Sequence, residues 1–166
     1  MRAKDFVYCP RCATELETRE LDGHDRRACP DSECGFVYYG NPTPVVAAIV
    51  ERGDDVVLVR NVGWPETWFG LVSGFLERKE DPAQGVLREV EEELGVDAEL
   101  VSMVGVYPFE QMNQVILAYH VRVFGGAEIT IDPKEIAAFK LVPVDKLKPW
   151  PFGTGAAVAD WLAARS

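Results

Sequence analysis

Several things are scarce in this sequence, and each shortage excludes something. No apolar run approaches the roughly 20 residues that cross a bilayer as a helix. The first residues, MRAKDFVYCPRC, contain no signal-peptide hydrophobic segment, so the expectation is a soluble, cytoplasmic protein with no membrane partner. Positive charge is short: 17 Lys and Arg stand against 27 Asp and Glu, a formal net charge of −10. That balance argues against a broad basic surface for nucleic acid or anionic lipid. An anionic small molecule stays admissible if a few local cations or a bound metal neutralise it. Internal repeats and low-complexity tracts are missing, and no cysteine follows residue 34.

What is present suits a folded protein. With 166 residues, 48% of them hydrophobic, the chain can form one ordinary domain, or one domain with a small appendage. Its four cysteines are spaced Cys9-x2-Cys12, sixteen residues, then Cys29-x4-Cys34. Two such knuckles match a structural zinc site closed by four thiolates, although the second is wider than usual. A pair of disulfides is the alternative, and the lack of a secretory signal weighs against it. His24, in LDGHDRR, reads as a surface turn residue rather than a further ligand. Residues 1–40 hold few large apolar groups beyond Phe6, Leu16, Phe36 and some Tyr and Val, so zinc would supply stability that the core cannot. GNPTP (40–44) punctuates the chain. The expected division is a zinc ribbon at 1–40 and a larger domain at 41–166.

The larger domain reads as α+β. VVAAIV (45–50) and VVLVR (56–60) flank a turn and predict a hairpin. TWFGLVS (67–73) predicts a short strand, ELVSMVGVY and QVILAYHVRVF two long ones, and FKLVPV (139–144) another. After Gly125 and Gly126, AEITI alternates as a strand would. GAAVADWLAAR predicts a closing helix. His120, in mid-strand, reads as a hydrogen-bonded strand histidine rather than a catalytic one.

The helix expected over 82–94 carries the main puzzle. Asp81 is an N-cap candidate, Pro82 suits the first helical position, Gln84 completes a capping-box spacing, and Gly95 suits the C-terminal stop. Ala83, Leu87, Val90 and Leu94 form an apolar stripe. REVEEELG (88–95) then crowds four glutamates together. At about 100° per residue, Glu89, Glu92 and Glu93 fall on the face away from the stripe, with Glu91 apart. Glu89 and Glu93 repel by about 0.2–0.5 kcal/mol if solvated, and all three sit near the helix end that disfavours anions. A surface acidic run is one reading. A hard divalent cation is the other, because clustered carboxylate oxygens are what Mg²⁺ or Mn²⁺ binds.

The wider stretch GFLERKEDPAQGVLREVEEELGV (74–96) reads G-x5-E-x7-R-E-U-x-E-E-x-G-U, where U is aliphatic. Gly74, Glu80, Arg88, Glu89, Val90, Glu92, Glu93, Gly95 and Val96 fill its fixed positions. This resembles the signature of the Nudix hydrolases. The resemblance implies a Nudix α/β/α sandwich after the ribbon, and hydrolysis of a nucleoside diphosphate linked to another moiety. It implies Glu89, Glu92 and Glu93 as Mg²⁺ or Mn²⁺ ligands, Glu80 and Arg88 as a bracing ion pair, and Gly74 as the residue permitting a tight turn. Glu77 and Glu91, at variable positions, read as solvated.

A cysteine ribbon ahead of such a box resembles the NADH pyrophosphatase branch, and also zinc-ribbon FAD and ADP-ribose pyrophosphatases. By that resemblance Glu135, in ITIDPKEIAAF (129–139), is a further metal ligand; alone it would be an ordinary turn acid. Phe75 resembles a purine-stacking position, with a core aromatic as the alternative. Trp64 or Trp68, in GWPETWFG, suits a base pocket, with core packing an equal alternative for Trp68. The branch's S-Q-P-W selectivity stretch is missing: GVYPFEQMNQ (105–114) keeps at most Pro108 and Phe109. KPWPF (148–152) lies in the wrong element, and Trp150 and Phe152 read as packing or pocket-rim residues. The implied substrate is a dinucleotide such as NADH or NAD⁺, with FAD or ADP-ribose as alternatives. NAD-capped RNA is the one nucleic acid that the same chemistry admits. An inert ligand-sensing module is the reading from another class, and the branch resemblance favours a homodimer.

Overall fold

The computed structural model describes residues 6–124 and 126–165; Gly125 of the glycine pair lies outside them. The chain forms two compact units, Met1–Pro42 and Thr43–Ser166. No helix among the described residues is long and apolar enough to cross a membrane.

The first unit is an antiparallel ribbon of β1 (Glu17–Leu21), β2 (His24–Ala28) and β3 (Val37–Tyr38), in that order. Asp22 and Gly23 both take positive φ, 54° and 76°, as a two-residue hairpin turn between paired Leu21 and His24 requires. His24 is therefore the exposed first residue of β2, one step beyond the expected turn. Among the unit's described residues, Cys9, Leu16, Ala28 and Cys29 are buried, and Phe6, Cys34 and Phe36 pack against Cys9, Leu16 and Cys29.

The second unit is built on one mixed sheet: β4 (Thr43–Arg52), β5 (Asp55–Asn61), β6 (Val72–Phe75), β7 (Ala98–Phe109), β8 (Gln114–Val123) and β9 (Ile136–Pro143). The order is β7-β8-β4-β5-β9, and β6 lies beside β4. β4 reads as a continuous apolar run because both of its faces are covered. Val46, Ala48 and Val50 face helix α1 (Pro82–Leu94), while Val45, Ala47 and Ile49 face helix α2 (Gly155–Ala163). The second unit is an α/β/α sandwich, and the cysteine ribbon precedes it in the chain, as the resemblance implied. β4 and β8 run parallel, which needs a long crossover, and α1 lies within that crossover.

Local signals place α1. The Asp81 carboxylate accepts from the Ala83 and Gln84 N–H groups at 2.9 and 3.4 Å, and Gly95 closes the helix in the left-handed region at φ 63°. Two expectations change. The strand expected at 67–73 starts only at Val72 and runs on through Gly74 to Phe75; Gly70 makes a single bridge to Val59. AEITI forms no strand: Ala127, Ile129 and Ile131 pack into the α1-side core, but the backbone serves the helix end. Thr130 N–H donates to Leu94 O at 2.9 Å and Asp132 N–H to Glu93 O at 3.3 Å, satisfying two of α1's last carbonyls.

On the α2 face, buried Glu51 accepts from His120 Nε2 at 2.9 Å, Arg122 at 3.3 Å and Arg165 at 2.8 Å. His120 also meets the edge of Trp161, at 5.3 Å between ring centroids. His120 is thus a hydrogen-bonded strand residue that ties the C-terminal helix to the sheet.

Candidate functional site

Helix α1 buries a wider arc than its apolar stripe. Gly85, Val86, Glu89, Val90, Glu93 and Leu94 are all covered. The expectation that Glu89, Glu92 and Glu93 share a face away from the core therefore needs correction. Glu92 is exposed, with 57% of its side chain accessible, and Glu91 is exposed too. Glu89 and Glu93 turn inward, 7% and 2% exposed, because α1 packs against β6 as well as β4. The reason assigned to Gly74 changes with it. Gly74 lies within β6 opposite Val46, not in a turn, and a Cβ there would overlap the Glu89 carboxylate. The missing side chain makes room for a buried anion.

Burying two neighbouring carboxylates is costly unless something compensates. Burial, then the charge of Glu89, pushes the Glu93 carboxyl up to about 8, against a hydrogen bond from the Ser73 N–H. Burial also raises Glu89, although Arg88 opposes it. Glu93 Oε2 is fully enclosed and is the one buried side-chain oxygen or nitrogen without a hydrogen-bond partner among the described residues. An orphaned carboxylate oxygen beside a second buried carboxylate fits a hard cation.

Arg88 organises the rest. Its guanidinium grips Glu80 with two bonds, 2.7 and 3.0 Å, and donates to Glu89 at 2.7 Å, Glu92 at 2.8 Å and the Phe75 carbonyl at 3.2 Å. Arg88 and the Glu77 N–H hold Glu80 down to about 2. Loop, strand end and helix are thus joined through one cation. Glu135, just ahead of β9, lies near enough for its charge to raise both Glu89 and Glu93. Its backbone is fixed by the Val62 N–H donating to Glu135 O at 2.7 Å. The structure thus gathers Glu80, Arg88, Glu89, Glu92, Glu93 and Glu135 in one region. Glu89 and Glu92 are directed at Arg88, however, and no three of these carboxylates converge within 4.8 Å.

Phe75 is 58% exposed, so the core-aromatic alternative fails there. On the α2 face of the sheet, a cleft of about 550 Å³ is lined by Trp64, Trp68, Phe69, Phe109, Trp150 and Phe152, over a floor including Val45, Leu71 and Ile116. Trp150 and Phe152 are rim residues of this cleft. Ser73 also lines it, so the strand residue that holds Glu93 borders the cleft. The reading from sequence missed Ser73; its place immediately before Gly74 was the available signal.

In the ribbon, Cys9 and Cys34 Sγ lie 3.6 Å apart, Cys12 and Cys29 Sγ 3.5 Å, and all four sulfurs fall within 4.8 Å of one another. A zinc–sulfur distance of about 2.3 Å gives tetrahedral edges of about 3.8 Å, whereas a disulfide needs about 2.05 Å. The four are free thiols, and the donor set fits zinc. Burial pushes Cys29 up to about 12, whereas hydrogen bonds with Thr14 bring Cys12 down to about 6.

A family model described as the NUDIX domain matches residues 41–161. The chain belongs to the Nudix family. Among curated proteins, this Nudix chain is 30% identical over 150 residues to the NAD-capped RNA hydrolase NudC of Pseudomonas aeruginosa, covering 90% of the chain and 52% of that protein. The match to the NudC of Pseudomonas entomophila is 26% over 165 residues, 98% of this chain and 58% of the relative. The chain thus spans about half the length of the curated relatives it matches. A Nudix hydrolase of Nitrosomonas europaea superposes with a TM-score of 0.71 at 24% identity, over 89% of this chain and 80% of that one. An ADP-ribose pyrophosphatase of Streptococcus suis gives 0.60 at 23%, over 76% and 94%. Both show the fold alone.

Proposed function

We propose that this Nudix protein is a metal-dependent pyrophosphohydrolase that cleaves the diphosphate of a dinucleotide such as NADH or NAD⁺. The observation that carries the reading is the pair Glu89 and Glu93, buried together with an enclosed oxygen that no donor reaches. The resemblance to the NudC relatives supports the dinucleotide. Residues 41–166 form the catalytic domain, and Cys9, Cys12, Cys29 and Cys34 in ribbon 1–40 hold one structural Zn²⁺. Glu89, Glu92, Glu93 and Glu135 hold Mg²⁺ or Mn²⁺.

A divalent cation held there would supply neutralisation of the non-bridging phosphate oxygens and a lowered pKa for the attacking water. Around it, the chain's own groups set the geometry. The Ser73 N–H fixes the Glu93 carboxylate, and Arg88 holds Glu89 and Glu92. Glu80, kept ionised, anchors the Arg88 guanidinium, so removing either partner releases the loop from the helix. Phe75, exposed at the end of β6, and Trp68, at the cleft, are the side chains offered to the substrate's rings.

The same chemistry extends to NAD-capped RNA, the substrate in the relatives' name, as a free 5′ end presented to the site. The protein acts in the cytoplasm, as a homodimer, and its native mass tests the latter. The activity itself is tested by incubating purified protein with Mg²⁺ or Mn²⁺ and NADH, NAD⁺, FAD, ADP-ribose, a dinucleoside polyphosphate or NAD-capped RNA, with chromatographic detection of mononucleotides. Release of AMP with NMN from NAD⁺, or with NMNH from NADH, is expected. A zinc-loaded, folded protein that cleaves none of them would instead support the inert ligand-sensing module.

A further inference from the structure

Glu135 differs from Glu89 and Glu93 in what holds it. The two box glutamates sit on a packed helix and are buried, whereas Glu135 is exposed on a loop. A loop keeps a side chain in place only as well as its own backbone is braced. Here the bracing converges on one residue, Asp132. Its N–H donates to Glu93 O at 3.3 Å. Its carbonyl accepts from the Glu135 N–H at 3.2 Å and the Ile136 N–H at 2.8 Å. Its carboxylate Oδ1 accepts from the Lys134 N–H at 2.9 Å. Asp132 is therefore bonded to the backbone of Glu93 on one side and to the backbone of Glu135 on the other.

The neighbours stiffen this link. Thr130 N–H donates to Leu94 O at 2.9 Å, and Gly95 leaves room for it, since a Cβ there would lie 2.8 Å from the Thr130 carbonyl. Ile131 packs into the α1-side core and Ile136 is fully buried, so the turn 132–135 is anchored at both ends. Pro133 holds its own φ near about −65°. Val62 N–H donates to Glu135 O at 2.7 Å, so both backbone groups of Glu135 are bonded. Taken alone, an Asp-Pro turn closed by its own side chain is ordinary turn chemistry. Joined to the Glu93 carbonyl, the same turn fixes how far one carboxylate-bearing residue stands from the other. Of these bonds only the one from Lys134 N–H to Asp132 Oδ1 uses a side chain, and substitution can remove it without touching the others.

We propose that Asp132 is a positioning residue for divalent-metal binding, which holds the turn carrying Glu135 against the end of the box helix so that Glu135 and Glu93 reach one cation. The proposal rests on the reading of Glu93 and Glu135 as metal ligands, and it adds a residue that touches neither metal nor substrate. Its side chain acts through Glu135.

The test titrates zinc-loaded protein with Mn²⁺ and reads free Mn²⁺ from its electron paramagnetic resonance signal, so no turnover enters. Asp132→Ala should weaken Mn²⁺ binding about 10- to 100-fold, the range for losing a residue that orients a metal ligand. Asp132→Asn keeps the acceptor oxygen without the charge and should bind nearly as the wild type does. Asp132→Glu keeps the charge but moves the oxygen, and should bind as weakly as Asp132→Ala; it also serves if the alanine protein does not fold. Glu135→Gln should weaken binding, and adding Asp132→Ala to it should weaken binding no further, because the two changes remove the same contribution. The proposal is overturned if folded Asp132→Ala and Asp132→Glu proteins bind as the wild type does, or if Asp132→Asn is as weak as they are. It is overturned equally if the two losses multiply in the double variant, or if Glu135→Gln binds at wild-type affinity. A wild-type protein that binds no Mn²⁺ would overturn the metal-site reading and the proposal together, whereas wild-type binding that ignores Asp132 overturns the proposal alone.

Discussion

Replacing Gly74 by alanine adds one methyl group at a point the Glu89 carboxylate already fills. Strand and carboxylate cannot both stay. β6 is held to β4 by a four-residue antiparallel register, from Val45 opposite Phe75 to Ala48 opposite Val72. The Glu89 carboxylate is the free end of a flexible side chain and is the part that yields. Its withdrawal stretches or breaks the 2.7 Å bond from Arg88 and brings a buried anion against apolar neighbours. The stability cost is then that of overpacking, about 1–3 kcal/mol. The effect on turnover is larger, because a misplacement of about 1 Å in a catalytic group costs about 10²-fold in rate. Gly85→Ala is the control. Its Cβ would lie 2.9 Å from Glu80 Oε2 and 3.0 Å from Leu76 Cδ1, a milder crowding offset by the gain of about 0.5–1 kcal/mol for alanine in a helix. Glu89→Asp in the Gly74→Ala background draws the carboxylate back and should recover stability without full activity. Melting temperatures and kcat for the four proteins decide the matter. Gly74→Ala with wild-type kcat would refute the account of why that residue is glycine.

Other expectations follow from the same geometry. Glu92→Gln should lower kcat by orders of magnitude with the fold intact, while exposed Glu91→Gln should change it less than twofold, by the usual scale of surface substitutions; equal losses at the two positions would contradict the assignment. Purified protein should carry one zinc per chain by elemental analysis, and Cys29→Ser should lose both the metal and the ribbon's protection from proteolysis; a zinc-free but stable ribbon would refute this. Glu51→Ala should lower stability by about 3 kcal/mol by unpairing His120 and Arg165, measured by denaturant titration. Acid should destabilise the second unit in two steps. Burial lowers the folded pKa of His120 despite Glu51, so protonation favours the unfolded chain as pH falls below about 6.5. Burial pushes Glu51 up, but His120 and Arg165 outweigh it and its folded pKa is lowered, so its contribution is lost as pH falls through that value. A melting temperature that rises from pH 7 to pH 5 in protein carrying both Glu89→Gln and Glu93→Gln, where the two buried box carboxylates cannot contribute, would contradict the sign.

Elements whose signals are local were legible in advance. Asp81, Pro82 and Gly95 act within one turn of α1, and those three residues suffice to set its ends. The cysteine knuckles likewise carry their geometry in their spacing. The burial of Glu89 and Glu93 was not legible, because helical periodicity assigns a face only relative to the helix's own apolar stripe. It takes β6 docking beside β4, with a glycine facing the helix, to turn two stripe-flanking glutamates inward. AEITI alternates correctly for its inward side chains, but its backbone bonds to the end of α1 instead of to a strand. The meeting of Trp68 with Phe152 depends on tertiary folding alone, so distance along the chain gave no sign of it.

The central claim is that the orphaned Glu93 carboxylate exists for a cation that activates diphosphate hydrolysis. The direct measurement is AMP and NMNH release from NADH with Mg²⁺ or Mn²⁺, comparing wild-type with Glu93→Gln protein, alongside their melting temperatures without added divalent metal. Glu93→Gln should lose activity by several orders of magnitude while being at least as stable as wild type without added metal, since it puts a neutral amide in place of a carboxyl whose ionised form burial disfavours. A Glu93→Gln protein that cleaves NADH at the wild-type rate would contradict the account.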